Sequence, residues 1–257
     1  METLLRRYYE SPEGTAAFAA GAELKPVERV LVERLRGEAA GGGLLGDLLG
    51  DLLDIGVGAG RTAAALSALG RRYLGVDYSL GMLGRCRSRF PRLALVCCDA
   101  RELALRSARF DAAFCWDVLG DAGHEGRLRI LAELHRVLRP GGALVMRANN
   151  LDAAWRPPWH PAGLTAPGRY LRGVWHHWRS RGLWSSGPGW RVAGDPWFGY
   201  ALPSYYVRRE EQERQLAAAG FESVEVWRPA GTPLAAGEPC GDPFLFYLAR
   251  TRTLNAA

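Results

Sequence analysis

Lysine is almost absent from this chain of 257 residues, and that absence weakens one functional interpretation. Lys25 is the only lysine among 33 basic residues, and the formal net charge is +6. Such an arginine bias, with abundant alanine, glycine and leucine, is typical of a GC-rich genome and does not require selection for an acidic ligand. Basic residues never form a run of five, and acidic residues are interspersed among them, so nucleic acid is not favoured as a partner.

The chain also lacks the signatures of secreted, metal-binding and membrane-spanning proteins. Its five cysteines form neither a metal-ligand spacing nor an even disulfide set, so we expect no metal site. No apolar run approaches the roughly 20 residues that a transmembrane helix needs. Residues 1–7 lack the apolar core of a signal peptide. We therefore expect a cytoplasmic protein without a transmembrane segment, either a monomer or a homodimer.

The most informative stretch is residues 52–62, with sequence LLDIGVGAGRT. A short apolar run ends at Asp54 and is followed by glycines at alternate positions, Gly56, Gly58 and Gly60. This pattern predicts a strand, a turn bare of side chains and a helix, so that a ligand can lie against the backbone. The NAD fingerprint places its third glycine one residue later, where this chain has Arg61.

Acidic residues end the next two predicted strands. Asp77 follows residues 72–76 and stands 21 residues after Gly56, a position suited to the ribose hydroxyls of a nucleoside cofactor. Asp99 follows residues 93–98 in the same way. The usual role of a lone aspartate at a strand end is a turn or helix cap, but the order and spacing favour ligand contacts here.

The order of these motifs over residues 52–150 resembles the class I S-adenosylmethionine (SAM)-dependent methyltransferases, in particular the small-molecule type 11 group. The segment LHRVLRPGG at residues 134–142 is typical of that family, and the pattern Asp-x-Gly-x-Gly-x-Gly resembles its first motif. The resemblance implies an α/β, Rossmann-like sheet of seven mostly parallel strands with the last strand antiparallel, helices on both faces and a helical cap. It also implies SAM as the cofactor and S-adenosylhomocysteine as its product.

The resemblance and the strand-end positions together define the expected site. The expected cofactor-binding residues are Asp54, Gly56, Gly58, Gly60, Asp77, Tyr78, Asp99, Ala100 and Trp116. Within this set, the resemblance implies that Asp99 accepts the adenine amine, and Asp54 has the alternative role of holding the glycine turn. The expected substrate residues are Tyr9, Asp117, Asn149, Asn150, Arg156, Trp197 and Tyr206.

The most individual segment is residues 151–206, which holds seven of the nine tryptophans. We expect it to form a cap that supplies an acceptor pocket with apolar walls and arginines. A helical subdomain with its own tryptophan core is the alternative, and the composition also suits a membrane surface. His160, His176 and His177 are the candidate general bases, although each has a structural alternative.

These motifs divide the chain into four expected regions. Residues 1–46 form a helical segment over the cofactor site, 47–150 the SAM-binding core, 151–206 the cap, and 207–257 the rest of the sheet. We expect methyl transfer to a small aromatic or apolar metabolite, such as a natural product, that can carry an anionic group. The alternatives are an RNA (tRNA) methyltransferase, which an aromatic and arginine-rich cap would suit, and a non-catalytic SAM-binding scaffold.

Overall fold

A computed structural model describes residues 2–17, 23–42, 49–153 and 167–253. The helices are α1 Glu2–Glu10, α2 Pro12–Ala17, α3 Pro26–Gly42, α4 Ala63–Leu69, α5 Leu80–Arg89, α6 His124–Val137, α7 Pro167–Ser180 and α8 Arg209–Ala218. The strands are β1 Asp51–Ile55, β2 Arg72–Asp77, β3 Ala94–Cys97, β4 Phe110–Cys115, β5 Leu138–Asn150, β6 Ser185–Gly187, β7 Trp190–Gly194, β8 Pro203–Val207, β9 Phe221–Trp227 and β10 Phe244–Thr251.

The sheet has a parallel centre, in which neighbouring strands run in the order β3-β2-β1-β4-β5. Strand β10 pairs antiparallel with β5 on one side and with β9 on the other. These seven strands form the mixed α/β architecture expected from the sequence, including the antiparallel last strand. The order reverses at β1, so the crevice at the carboxyl ends of the central strands is the place where this architecture binds ligands.

Side chains on the two faces of the strands pack against two separate layers of helices. On one face, Leu53 and Cys115 pack in a cluster with leucines of α6 such as Leu131. On the other face, Leu52 and Phe114 pack with residues of α3 and α4. Because side chains alternate across a strand, a strand apolar at every position is covered on both faces. This explains why β1 is buried along its whole length.

The segment after β5 is not only a helical cap. Within its described residues, α7 is followed by β6, β7 and β8, and β8 joins the central sheet by parallel pairing of Tyr206 with Asn149 and of Val207 with Asn150. Strands β7 and β6 continue antiparallel from it. The expected cap thus contains a helix and also strands in its described part, because the buried run at residues 203–207 extends the sheet.

An ion cluster supports the edge of the sheet opposite the crevice. Asp51, at the start of β1, is almost fully buried and accepts two hydrogen bonds of 2.7 Å from the Arg72 guanidinium. Arg109 and Arg139 also contact its carboxylate. The hydrogen bond from Arg72 is the main cause that holds the pKa of Asp51 far below its ordinary value, against the opposing effect of burial.

We predict that Asp51→Asn lowers the free energy of unfolding by about 1.5–3 kcal/mol at pH 7, because hydrogen bonds to a buried charge are lost. A carboxyl whose folded pKa is depressed stabilises the fold above its unfolded pKa, and this contribution disappears as the pH falls towards the folded pKa. The difference between the two proteins in urea denaturation should therefore shrink below about pH 4.

Asp152→Asn is the matched control, because Asp152 forms an ion pair with Arg208 in which both side chains are more than half exposed. Its effect should stay within about 0.5 kcal/mol. An Asp51 variant as stable as the control at pH 7 would contradict the assignment of the cluster as a stabilising element.

Candidate active site

A cavity of about 680 Å³ lies at the carboxyl ends of the parallel strands. Its walls come from the turn after β1, the ends of β2 and β3, the loop after β4 and one side of α1. The volume lies within the range of small-molecule sites in proteins, about 300–1,000 Å³. Among the candidate residues named from the sequence, those lining it are Tyr9, Gly56, Gly58, Asp77, Tyr78, Asp99, Ala100, Trp116 and Asp117.

The glycine turn after β1 can be built only from glycines at its critical positions. Gly56 and Gly58 have φ values of +72° and +54°, in the region that side chains disfavour. A Cβ atom on Gly56 would lie 2.1 Å from Val118 Cγ2. The third glycine serves packing: a Cβ on Gly60 would lie 2.9 Å from Cys86 Sγ in α5, and Gly60 is not among the lining residues.

Asp77 ties the end of β2 to this turn. Its Oδ2 accepts a hydrogen bond of 2.9 Å from the Gly58 N–H, and its Oδ1 accepts one of 2.9 Å from the Ser79 N–H. Burial raises the pKa of Asp77, and these backbone N–H groups oppose that shift. Ser79 caps α5 by accepting a hydrogen bond from the Met82 N–H. The carboxylate thus orients the turn and the start of α5 at once.

Asp99 lies at the end of β3 and is held by Arg101. The guanidinium donates to both carboxylate oxygens, and the Arg101 backbone N–H donates to Oδ1 at 2.9 Å. These hydrogen bonds, led by the one from the Arg101 side chain, lower the pKa of Asp99. Asp99 is therefore an ionised acceptor at the far end of the cavity.

Asp54 lies beneath the cavity, not in its wall, which corrects its assignment as a cofactor contact. Its buried Oδ2 accepts hydrogen bonds from the Tyr73 hydroxyl at 2.8 Å and the Thr62 hydroxyl at 3.3 Å. Burial raises the pKa of Asp54 to about 7. The residue joins β1, β2 and the helix start after the turn, which is the alternative role considered from the sequence.

Helix α1 covers the cavity from outside the sheet. Thr3, Leu5, Arg6 and Tyr9 line it from one side of the helix, and Leu5 is almost fully buried. The Ser79 hydroxyl donates a hydrogen bond of 3.4 Å to the Tyr9 carbonyl, which fixes the helix to the end of β2.

Tyr9 reaches a carboxylate that sequence analysis missed. Its hydroxyl donates a hydrogen bond of 2.6 Å to Asp121 Oδ2, across 112 positions of the chain, and both residues line the cavity. Asp121 lies in the loop between β4 and α6. The only available signal was a second aspartate four residues after Asp117 in that loop, and no spacing rule links such a residue to a tyrosine in α1.

Burial is the main cause that raises the pKa of Asp121 to about 7. The negative charges of Asp117 and Asp195 also raise it, while the Tyr9 hydroxyl and the Arg147 charge lower it. Burial, followed by Asp121, raises the pKa of Tyr9 far above its ordinary value. The pair therefore contains a neutral phenol and a carboxyl that titrates near neutral pH, a combination typical of proton-transfer sites.

Two further ion pairs position groups around the cavity. Arg147 of β5 contacts Asp117 Oδ1 at 2.8 Å and packs on the Phe244 ring, whose centroid is 4.2 Å from the guanidinium carbon. Arg61 donates two hydrogen bonds of 2.7 Å to Glu28, which is fully buried at the start of α3. Arg61 lines the cavity, so this second pair links α3 to the glycine turn.

Three expected substrate residues are used by the fold instead. The Asn150 amide donates to the Cys240 and Asp242 carbonyls, and the Asn149 amide donates to the Tyr205 carbonyl. Tyr206 is buried within β8, where burial raises its pKa well above the ordinary value. None of the three is among the lining residues, because residues 149–150 and 206 meet in the pairing of β5 with β8.

The expected residues of the segment after β5 also lie away from the cavity wall where they are described. The Trp197 side chain is 84% exposed. His177 is buried in α7, edge-on to Trp184 with ring centroids 4.1 Å apart, and the ring of His176 packs edge-on against Trp175. Arg156 and His160 lie outside the described residues.

The described part of the chain shows no group of three histidine, cysteine, aspartate or glutamate side chains that could hold a metal ion. In the same part, no helix has the length and apolar character needed to cross a bilayer.

Sequence comparison gives the same interpretation of the core. Residues 53–146 match a family model described as a methyltransferase domain. The demethylmenaquinone methyltransferase of Beutenbergia cavernae is 34% identical over 110 residues, which is 43% of each chain. The malonyl-[acyl-carrier protein] O-methyltransferase of Pseudescherichia vulneris is 36% identical over 93 residues, 36% of each chain. These matches span about two fifths of the relatives' length.

Solved structures share the fold over more of the chain. The 1,6-didemethyltoxoflavin-N1-methyltransferase of Burkholderia thailandensis, with bound 1,6-didemethyltoxoflavin and S-adenosylhomocysteine, has a TM-score of 0.59 at 20% identity. It covers 97% of this chain and 88% of its own. A phosphoethanolamine N-methyltransferase of Haemonchus contortus has a TM-score of 0.62 at 16% identity and covers 98% of this chain and 60% of its own. Residues 53–146 thus match a methyltransferase domain, and the chain shares the fold of solved SAM-dependent methyltransferases.

Proposed function

We propose that the chain binds SAM along this cavity and transfers its methyl group to a small molecule. The observation that carries the proposal is the order of groups along one sheet edge. Asp99 follows β3, Asp77 follows β2, the glycine turn follows β1, and the loop with Asp117 and Asp121 follows β4. With its adenine at Asp99 and its ribose at Asp77, the cofactor would have its reacting end between the glycine turn and the loop after β4.

The residues present fit this cofactor. Gly56 and Gly58 expose backbone to the cavity, where the amino-acid end of SAM would lie. Asp77 keeps lone pairs for ribose hydroxyls beyond its two backbone hydrogen bonds. Trp116 lines the same cavity, and its buried indole N–H has no acceptor among the described residues. We assign residues 47–150 as the cofactor-binding core, 1–46 as its cover and 207–257 as the completion of the sheet.

When bound, SAM supplies a methyl group on a positively charged sulfur, and a nucleophile that takes the methyl group displaces this sulfur as S-adenosylhomocysteine. The chain's part is to hold that nucleophile in line and to exclude water, which in favourable cases lowers the barrier by about 7–11 kcal/mol. Asp121 is the general base, since its carboxylate can take the proton that an acceptor N–H or O–H loses. The Tyr9 hydroxyl holds the carboxylate in place at 2.6 Å.

The charges around the reacting end indicate the kind of acceptor. Asp117 and Asp121 line this end, and the three lining arginines Arg6, Arg61 and Arg101 each contact a carboxylate of the chain. An acceptor with a neutral or basic N–H or O–H near the methyl group fits these charges better than the anionic group expected from the sequence. The cavity volume favours a small molecule, as do the acceptors in the names of the demethylmenaquinone and toxoflavin enzymes.

We predict that Gly58→Leu weakens SAM binding at least about tenfold in calorimetry, a change of 1.4 kcal/mol. The side chain would occupy the cavity at a residue with φ of +54°. Gly84→Leu in α5 is the matched control, because a Cβ at Gly84 meets no atom within 4 Å, and its affinity should equal that of the parent. Unchanged affinity in a folded Gly58 variant would contradict the cofactor assignment.

We predict that Asp121→Asn lowers kcat by about 10²–10⁴-fold at saturating SAM, because the proton acceptor is lost. The acceptor for this assay is found by screening small compounds with an N–H or O–H group for transfer of a labelled methyl group from SAM. RNA is screened in parallel. Wild-type kcat should rise with pH through an apparent pKa below about 7, since only the ionised carboxylate accepts a proton and a bound cation lowers the pKa of this carboxyl. This rise should be absent from the variant.

Tyr9→Phe gives the complementary test. Its hydroxyl lowers the pKa of Asp121, so its removal should move the midpoint of the pH profile upward, and carbon NMR of the Asp121 carboxyl should show the same shift. A profile identical in all three proteins would exclude Asp121 as the base. Methylation of RNA alone would support the RNA enzyme, and SAM binding without any methyl transfer would support the scaffold.

A further inference from the structure

Helix α7 carries its large apolar side chains on the outside. Leu171, Trp175 and Trp178 are 67%, 52% and 63% exposed. Among the α7 residues whose burial the structure describes, the buried ones are Gly173, His177 and Ser180, and Val174 is half-buried. A helix on a protein surface ordinarily turns its apolar stripe to the core and its polar residues to solvent. In α7 the arrangement is reversed within the described part of the chain.

The three exposed side chains form one stripe. They stand at positions i, i+4 and i+7, which share a face of an α-helix. We call Leu171, Trp175 and Trp178 the α7 stripe.

The inward face of α7 is held in place by its own contacts. The His177 ring packs edge-on against Trp184 and Tyr200, at centroid distances of 4.1 and 6.2 Å. The Ser180 hydroxyl donates to the His177 carbonyl and accepts a hydrogen bond of 3.3 Å from the Trp184 indole. Rotation of the helix to bury the stripe would break these contacts and leave polar groups unpaired.

Positive charge surrounds the stripe. The guanidinium carbon of Arg179 lies 5.1 Å from the Trp175 ring centroid, and that of Arg181 lies 4.4 Å from the Trp178 ring. Arg172 is exposed beside Leu171. Each indole of the stripe therefore has an arginine next to it.

The same region has no acidic residue in its sequence. Residues 153–194 contain six arginines and neither aspartate nor glutamate. The chain has 27 acidic residues in 257, a density at which about four would fall in a stretch of this length. An arginine-rich genome explains the arginines but not the missing acids. The excess of arginine is thus a local property of this segment of the sequence, and the described arginines beside the stripe complement an anionic surface.

We propose that the α7 stripe and its arginines bind the surface of an anionic phospholipid bilayer, with the helix lying in the interfacial plane. Leucine and tryptophan are suited to the boundary between headgroups and acyl chains, and arginine to lipid phosphates. Fourteen residues span about 21 Å, which is long enough to lie in the interface and too short to cross it. The inference is independent of the proposed methyl transfer, because none of these residues lines the cavity.

A phospholipid surface fits these observations better than RNA does. Leucine has no aromatic face for a base to stack on, whereas single-strand binding depends on stacking platforms within a basic groove. The α7 stripe is instead a convex helix face with its arginines at the flanks of the apolar residues. This is the arrangement of amphipathic helices that bind membranes from one side.

The test is co-sedimentation of the full chain, without SAM, with phosphatidylcholine vesicles that either contain or lack phosphatidylglycerol. We expect binding to the anionic vesicles only, weakened by added salt because the arginine contribution is screened. Brominated acyl chains should quench tryptophan fluorescence in the bound state, which reports insertion of the indoles.

Two variants separate the contributions of the stripe and the charges. Trp175→Ser with Trp178→Ser should weaken vesicle binding at least about tenfold. Arg172→Gln with Arg179→Gln should weaken it and reduce its salt dependence. The matched control is Leu80→Ser with Arg85→Gln on α5, where Leu80 is 71% exposed and Arg85 is also exposed, and its binding should equal that of the parent. Thermal unfolding verifies that each variant is folded.

Several outcomes would overturn the proposal. Absence of parent binding to anionic vesicles would do so, and so would equal binding by the α7 variants and the control. Tighter binding of single-stranded RNA than of vesicles, lost in the same variants, would make nucleic acid the occupant of the stripe. A dimer in the ultracentrifuge that the tryptophan variant converts to a monomer, without vesicle binding, would make the occupant a second copy of the chain.

Discussion

The hydrogen bond from the Gly58 N–H to the Asp77 carboxylate is the interaction on which the cavity depends. It joins two strands at their carboxyl ends, and the second oxygen of Asp77 accepts from Ser79 at the start of α5. One carboxylate thus ties α5 to a turn whose glycines have positive φ. The backbone that a ligand would contact is held by this carboxylate together with the packing of Val57 and Ala59.

Carboxyl groups recur around the cavity, and their environments differ. Asp99 is paired with Arg101 and stays ionised. Burial raises the pKa of Asp121, in the cavity wall, and of Asp54, beneath the cavity, to about 7. A bound cation would lower these raised pKa values by favouring the charged forms. The proposed sulfonium cofactor is such a cation, so binding and the protonation state of Asp121 are coupled.

The charge distribution divides the molecule into two regions of opposite character. The cavity has several carboxylates in its wall, and its arginines are engaged with them. The α7 surface has arginines and exposed indoles, and residues 153–194 contain no aspartate or glutamate. Tyr8 of α1 packs edge-on against Phe198, with ring centroids 5.6 Å apart, so the helix that covers the cavity also contacts the segment between β7 and β8.

The sequence by itself determined the features that depend on local backbone requirements: the glycine turn and the strand ends at Asp77 and Asp99. Glycine adopts positive φ without strain, and short apolar runs that end in an acidic residue specify the buried strands. The parallel core with its antiparallel last strand followed from the family resemblance of these motifs. The tertiary structure decided the Tyr9–Asp121 contact, the use of Asn150 by the loop before β10, the placement of Asp54 beneath the cavity and the outward face of α7. Each of these depends on partners distant in sequence or on which helix face finds a neighbour, and a hydrophobic pattern contains neither.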